Sequence, residues 1–554
     1  MELNSRANRG QTLAYGLVTA PQSEAAHEGA RVLSDGGNAA DALVTAALIQ
    51  GIADPHRSGL GGFGCATLFW SAAPNPGLGL SVAFHGRAGS LARPDMWREL
   101  FEYPAPDGFG YVIKGKRNDV GYQAITTPGM LAGLSAIHRR FGRLPWKGLV
   151  ERTVPYAEEG FLVTPGLAEF WIRPGLYGRV STRDRLGHTE AGKAICMKPD
   201  GSALKAGEVL VQKDMARTLR RVAEGGAEDF YRGRIGKEIA DDWQRGGALV
   251  TAEDLGGYCA AEEPPLEGTY RGHKILCSPL PGGGPSLLQA LRLVEEIPPP
   301  ELRPGGEFAH NSPAFIDRLA RIFKVVWADR LAHHGDPEFG GRTAAELLSE
   351  SYLAGLRRRM DAPIEAPEAA ESGGTTQLTI VDREGNCISF SHSLGYGSGV
   401  FTPGLGFMYN NCMSGFDPRP GGVNSIEAGK ARSTAVAETI LLKDGRPFLV
   451  LGSPGGARIT AALVQAIVAV VDFGMTAPEA VLMPRFDGYG ERTLFLESRF
   501  PLPLAAEMMR RGWEVAQSPK PFGLVGRVYA IEFLSDGRLA GGVDPGEPGA
   551  AARG

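Results

Sequence analysis

The stretch SGGTTQLTIVDREGNCISFSHS, Ser372 to Ser393, decides how this chain is read. TTQLTIV and CISFSHS alternate between apolar and small polar residues around the turn-forming DREGN, which predicts a β-hairpin. Two glycines stand directly before the threonine pair. Ahead of them runs DAPIEAPEAAESGG, Asp361 to Gly374, a Pro/Ala/Glu-rich linker that cannot build a core and is expected to be exposed. Threonines favour strands, so the pair has a plain structural reading. Self-cleavage accounts for more of the context. A cut between Gly374 and Thr375 would give Thr375 a free α-amine beside its hydroxyl. Such an amine titrates near about 8 and can take the hydroxyl proton, directly or through a water. Nucleophile and base then reside on one residue. The same hydroxyl must first attack the Gly374 carbonyl, where a glycine leaves room and tolerates strain.

Outward from this stretch, the chain is an ordinary globular sequence. It has 554 residues, 43% hydrophobic and 22% charged, long enough for a large core. Its 58 basic and 62 acidic residues leave a net charge of -4, which argues against nucleic-acid or membrane-surface partners. The 77 glycines and 39 prolines are spread along the chain and predict many tight turns. MELNSRANRGQTLAYG lacks an apolar leader core, so a cytoplasmic location is expected. Ile459 to Val471 is too short to cross a bilayer and predicts a buried helix.

Six separated cysteines without a CxxC read as buried thiols, and ten scattered histidines show no metal-binding spacing. No metal and no cofactor are expected. GLGGFG, Gly59 to Gly64, fits a dinucleotide fingerprint, but ADPHRS precedes it and strand-like CATLFW follows. A glycine turn between closely packed backbones suits that context better. Helices are predicted over Ser23 to Ile49, broken at SDGGNAADA, and near 129–141, 214–223 and 285–295. EEIPPPELRPGGE predicts a surface loop, and the tail DPGEPGAAARG a frayed end.

The order of motifs resembles the γ-glutamyltransferase family. GLVTAPQSEAAHEGARVLSDGGNAADALVTAALIQGIADPHRSGLGGFG is similar to that family's opening. TTPGMLAGL, DFYRGRIGKEIADDWQRGGALVTAEDLGGY, YRGHKILCSPLPGGGPSLLQAL, the threonine hairpin, LGSPGGARI and PRF follow in family order. The resemblance implies an α+β fold, the four-layer αββα sandwich of N-terminal nucleophile hydrolases. It implies a proenzyme cut into residues 1–374 and 375–554, whose fragments stay associated. It also implies hydrolysis or transfer of the acyl group of a small amide.

Carried over by position, Thr375 matches the nucleophile, and Gly374 with Thr375 the cleavage site. Ser393 falls where the family has a threonine bonded to the nucleophile's amine. Gly455 and Gly456 match the glycines of the oxyanion hole. Thr376 matches the second threonine, while Gln377 replaces the usual histidine. His85 stands at the family's carboxylate-binding arginine, with Arg87 two residues on. Thr434 and Ala435 replace its paired serines. His85, Arg87, Thr376 and Thr434 are therefore the expected substrate-binding residues. Gly395, Cys412 and Gly415 replace the family's asparagine, glutamine and the acidic residue that holds the substrate amine. Three functions stay open: γ-glutamyl hydrolysis or transfer, an acylase or amidase for another small acid, and an uncleaved, inactive binding homologue.

Overall fold

A computed structural model of the chain describes residues 13–106, 108, 110–176, 178–360, 374–489, 492–519, 521–523 and 525–554. The linker expected over 361–373 lies outside them.

The hairpin forms as its alternation predicts, from strands Gly374–Val381 and Cys387–Gly395. Its turn is held by Asp382. One carboxylate oxygen accepts the N–H groups of Glu384 and Asn386 at 2.9 and 3.0 Å. The other reaches 3.0 Å across to the N–H of Ala39, the first residue of helix Ala39–Ala53. The hairpin turn thus satisfies an orphan donor of the helix that packs behind it. The opposite strand face obeys the two-residue period. Leu378 and Ile380 join the helical core around Ala39–Ala53. Thr375, Gln377 and Thr379 point the other way, where Thr379 Oγ1 donates to the Tyr529 carbonyl at 3.0 Å.

The hairpin lies at the middle of a seven-stranded sheet. Across the sheet the strands run Ala550–Arg553, Leu17–Ala20, Gly374–Val381, Cys387–Gly395, Phe63–Trp70, Leu78–Phe84 and Ala261–Glu263. A six-stranded sheet faces it, in the order Leu539–Val543, Tyr529–Phe533, Arg446–Gly452, Thr439–Lys443, His273–Cys277 and Leu266–Tyr270. An apolar layer joins the two: Leu17, Phe69 and Val381 from one sheet meet Leu276, Ile440 and Val450 from the other. Two larger cores hold the helices. One gathers Ala39–Ala53 and Met130–Phe141, the other Gly284–Val294, Pro313–His333 and Ile459–Val471. The chain therefore mixes α and β throughout, and each sheet draws strands from both sides of Gly374.

Several local expectations meet their physical cause. Asn38 caps Ala39–Ala53 through a reciprocal bond with Asp41. Ile459–Val471 is apolar on all sides and is buried on all sides. The Gly59 to Gly64 turn is a close approach of backbones. A Cβ on Gly62 would lie 2.9 Å from the Ser393 carbonyl oxygen, and one on Gly64 only 2.0 Å from that of Ser391. The tail corrects the expectation of fraying. Ala550–Arg553 is the edge strand of the larger sheet, paired antiparallel with Leu17–Ala20. Gly554 and Gly16 exchange both backbone hydrogen bonds at 2.8 and 3.0 Å.

Candidate active site

Thr375 opens onto a cleft of about 420 Å³ shared with Ser393, Gly456, Thr434, Phe63 and Arg432. The strand register sets Thr375 directly opposite Ser393, with a local irregularity between Gly374 and Thr375. Thr375 Oγ1 donates to Ser393 Oγ at 3.1 Å. The Ser393 hydroxyl in turn donates to the Gly374 carbonyl oxygen, and it also accepts the Gly395 N–H at 2.9 Å. One hydroxyl therefore touches both the nucleophile and the carbonyl oxygen of the junction.

Gly374 is held close by Arg57. A Cβ added there would meet Arg57 Cγ, Cα and Cβ at 2.7, 2.8 and 2.9 Å, two of them atoms that cannot swing away. Arg57 is itself fixed. It pairs with Glu547 at 2.5 Å and Asp54 at 3.4 Å, and its carbonyl accepts the Leu394 N–H at 2.8 Å. Burial alone would raise the Asp54 carboxyl, but Arg57 and His56 outweigh it and hold it at about 2. A charged, buried scaffold thus locks the residue before the nucleophile.

Gly455 and Gly456 lie on the loop into helix Ile459–Val471, with φ of 155° and 56°. A side chain at either position would be strained, which accounts for the glycine pair. A Cβ on Gly455 would also meet Gly526 Cα at 2.9 Å. Among the described residues neither N–H is spent on an internal hydrogen bond. Gly456 lines the cleft, while Gly455 is buried behind it and is not among the lining residues.

The expected substrate-binding residues do not all gather here. Thr434 lines the cleft. Thr376 does not: one residue along the strand from Thr375, its hydroxyl faces the helical core, 2.8 Å from Gln50 Nε2 and 3.1 Å from Gln22 Oε1. Gln377 is turned between the sheets, where Ser391 Oγ donates to its Oε1 at 2.5 Å. Arg87 is turned to the protein itself, 3.2 Å from Glu338, 3.7 Å from Asp336 and 3.0 Å from the Gly429 carbonyl. His85 is buried. Burial first, then Arg87 and Arg432, depress its pKa to about 3, so it is neutral near pH 7.

The cation that does line the cleft is Arg432, which sequence reasoning missed. It is 4% exposed, and its guanidinium stands 4.9 Å from the centre of the Phe63 ring. Its position in ARSTAV, two residues before Thr434, was the available signal. Among the described residues no cluster of acidic, histidine or cysteine side chains could hold a metal ion, and no helix is long and apolar enough to cross a membrane.

A threonine hydroxyl at a strand start, facing a second hydroxyl and a glycine loop, is the geometry that comparison with known proteins can name. The profile of the Gamma-glutamyltranspeptidase family matches residues 25–554. The chain belongs to that family. Among curated relatives it is 30% identical over 553 residues to the glutathione hydrolase proenzyme of Escherichia coli K12, covering 96% of this chain and 90% of that protein. It is 32% identical over 535 residues to the acylase ACY 1 proenzyme of Pseudomonas sp. V22, covering 95% and 91%. The crystal structure of cephalosporin acylase from Bacillus halodurans superposes with a TM-score of 0.85 at 26% identity, covering 100% of this chain and 98% of that one. As a γ-glutamyltranspeptidase-family member the chain is an N-terminal nucleophile hydrolase, of a family whose enzymes hydrolyse amides or transfer their acyl groups.

Proposed function

We propose that the chain is a proenzyme that cuts itself between Gly374 and Thr375, then hydrolyses or transfers the acyl group of a small amide through a threonyl ester. The observation that carries this reading is the Ser393 hydroxyl, set between Thr375 Oγ1 and the Gly374 carbonyl oxygen. In the cut, Thr375 Oγ1 attacks the Gly374 carbonyl carbon. Ser393 polarises that carbonyl by donating to its oxygen. The C–N bond breaks, the α-amine of Thr375 takes a proton, and Gly374 is left as an ester on the hydroxyl. Water hydrolyses the ester and restores the hydroxyl.

Turnover repeats this chemistry on an external amide. The free α-amine accepts the hydroxyl proton as Oγ1 bonds to the substrate carbonyl carbon. The Gly455 and Gly456 N–H groups meet the developing oxyanion, a contribution worth about 3 kcal/mol for one such donor. The leaving amine departs with the proton, and water or an acceptor amine releases the acyl group.

The stacked sheets, with a helical core outside each, are read as the four-layer αββα sandwich of N-terminal nucleophile hydrolases. Residues 1–374 and 375–554 contribute strands to both sheets, so the two fragments would stay joined by intact ladders after the cut.

For the acyl group, a small acid other than glutamyl is favoured. Gly415 offers no carboxylate for a substrate ammonium, and Gly395 no amide. Relatives named as glutathione hydrolase and as acylase make both chemistries available to the family. The test is mass spectrometry of the purified protein, followed by assay of its amide hydrolysis. A small fragment of 180 residues, 375 to 554, beginning at Thr375, is expected. An intact chain after long incubation would instead favour the uncleaved binding homologue.

A further inference from the structure

The acyl end of the cleft has an unusual charge pattern. Among the described residues that line it, Arg432 is the single charged one. The rest of the wall is uncharged: aromatic, aliphatic or hydroxyl-bearing residues such as Phe63, Ile459 and Thr434, the amide of Asn411, and glycine. Two further guanidiniums stand behind it. Arg179 opposes the charge on Arg432, and burial, its largest influence, also disfavours that charge. Arg330, 4% exposed, donates to Ser433 Oγ at 2.7 Å beside Arg432. Among the described residues its Nη1 has no hydrogen-bond partner. Arg179 is itself paired with Asp119 at 3.7 Å. Among the described residues that line the cleft there is no carboxylate, so a substrate ammonium there would meet the Arg432 guanidinium rather than an acid.

The room for Arg432 comes from a second feature. A Cβ on Gly415 would lie 2.6 Å from Arg432 Nη1 and 2.8 Å from its Cδ. A side chain at 415 and the guanidinium in its present place exclude each other. The bare backbone at 415 and the present place of the Arg432 guanidinium are therefore one structural feature, which sets a cation where a side chain at 415 would crowd it.

Resting on the proposed Thr375 amidase, we propose that Arg432 anchors a carboxylate at the far end of the acyl group. The substrate class is then N-substituted monoamides of short dicarboxylic acids without an α-amine. A guanidinium grips a carboxylate through two parallel bonds, and in a largely desolvated site the pair gains strength.

The test uses the processed enzyme and the p-nitroanilides of glutarate, γ-glutamate and butyrate, which carry a carboxylate alone, a carboxylate with an ammonium, and neither. Glutaryl should exceed both others in kcat/KM, by at least about tenfold. Arg432→Gln should lower the glutaryl-to-butyryl ratio by about thirtyfold or more, mainly through KM, while the fragment starting at Thr375 still forms. Arg432→Lys should recover only part of the ratio. Gly415→Ala keeps the arginine and displaces its guanidinium, so it should lower the ratio as well, by a smaller factor. A ratio unmoved by both changes overturns the proposal, as does a hundredfold γ-glutamyl preference in the wild type. A wild type that never cuts before Thr375 removes the amidase reading, and this proposal with it. Cutting that proceeds with an unmoved ratio removes only this proposal.

Discussion

The two ends of the cleft are built on different terms. At the nucleophile end, Thr375, Ser393 and Gly374 are fixed by strand register and by a glycine pressed against Arg57. The contacts there are close: paired backbones, two facing hydroxyls and the first carbons of an Arg57 that is itself pinned by Glu547 and Asp54. At the acyl end, the contacts come from long side chains on separate loops: Arg432 takes space that Gly415 leaves, while Arg87 turns to Glu338. Short-range geometry of the first kind tolerates little change. The second kind can exchange one charged group for another without moving a strand, so specificity can drift while the cutting chemistry stays.

Four measurements would break or sharpen this contrast. The largest effect is expected from Thr375→Ala, which removes nucleophile and cut together. Denaturing gels should show one band near 58.9 kDa, and hydrolysis should fall by at least about a thousandfold. A processed Thr375→Ala protein would place the nucleophile elsewhere.

Gly374→Ala comes next. Its methyl group has to displace Arg57, and strain of about 1–3 kcal/mol is typical of such overpacking. Self-cleavage should slow by about tenfold to a hundredfold, followed as the fraction cut with time after translation. Normal processing would show that Arg57 yields easily and that the nucleophile end is softer than argued.

Acid stability probes the packing behind each end: His392 meets Gln50 at 2.9 Å on the face away from the cleft, and His85 is buried near Arg87 and Arg432. Burial depresses His392 near the nucleophile, and His85 near Arg432, to about 3. An unfolded histidine titrates near about 6.5. Between those values the unfolded chain binds protons that the native state refuses. Stability is therefore complete above about pH 6.5 and falls as pH drops toward 3, by up to roughly 1.4 kcal/mol per pH unit for each histidine. Tm measured from pH 7 to pH 4.5 should fall steeply, and less steeply in His392→Gln or His85→Gln. Equal slopes in all three proteins would show that neither histidine is buried as described.

The smallest effect is expected from Arg87→Lys. Arg87 is 37% exposed and paired with Glu338, itself 68% exposed, and such surface pairs contribute at most about 1 kcal/mol. KM for glutaryl-p-nitroanilide should change by less than about threefold. A large rise in KM would return the carboxylate site to Arg87 and take the contrast between the two arginines with it.

The sequence alone determined what depends on neighbouring residues. The hairpin followed from alternation around DREGN, the helix break from SDGGNAADA, and the buried helix from the apolar run Ile459 to Val471. The proposed nucleophile is legible for the same reason: a glycine and a threonine adjacent in one strand carry their chemistry with them. The tertiary structure alone decided what depends on distant partners. The tail became a strand because Leu17–Ala20, more than five hundred residues away, offers it an edge. Thr376 faces away from the cleft because strand side chains alternate and the sheet has only one face toward it. Which arginine lines the cleft was settled by packing. Arg87 and Arg432 carry the same group, but Glu338 and Gly429 engage one, and the space beside Gly415 admits the other to the cleft. A guanidinium on a flexible stem goes where the fold leaves room and charge, and neither is written in the residues next to it.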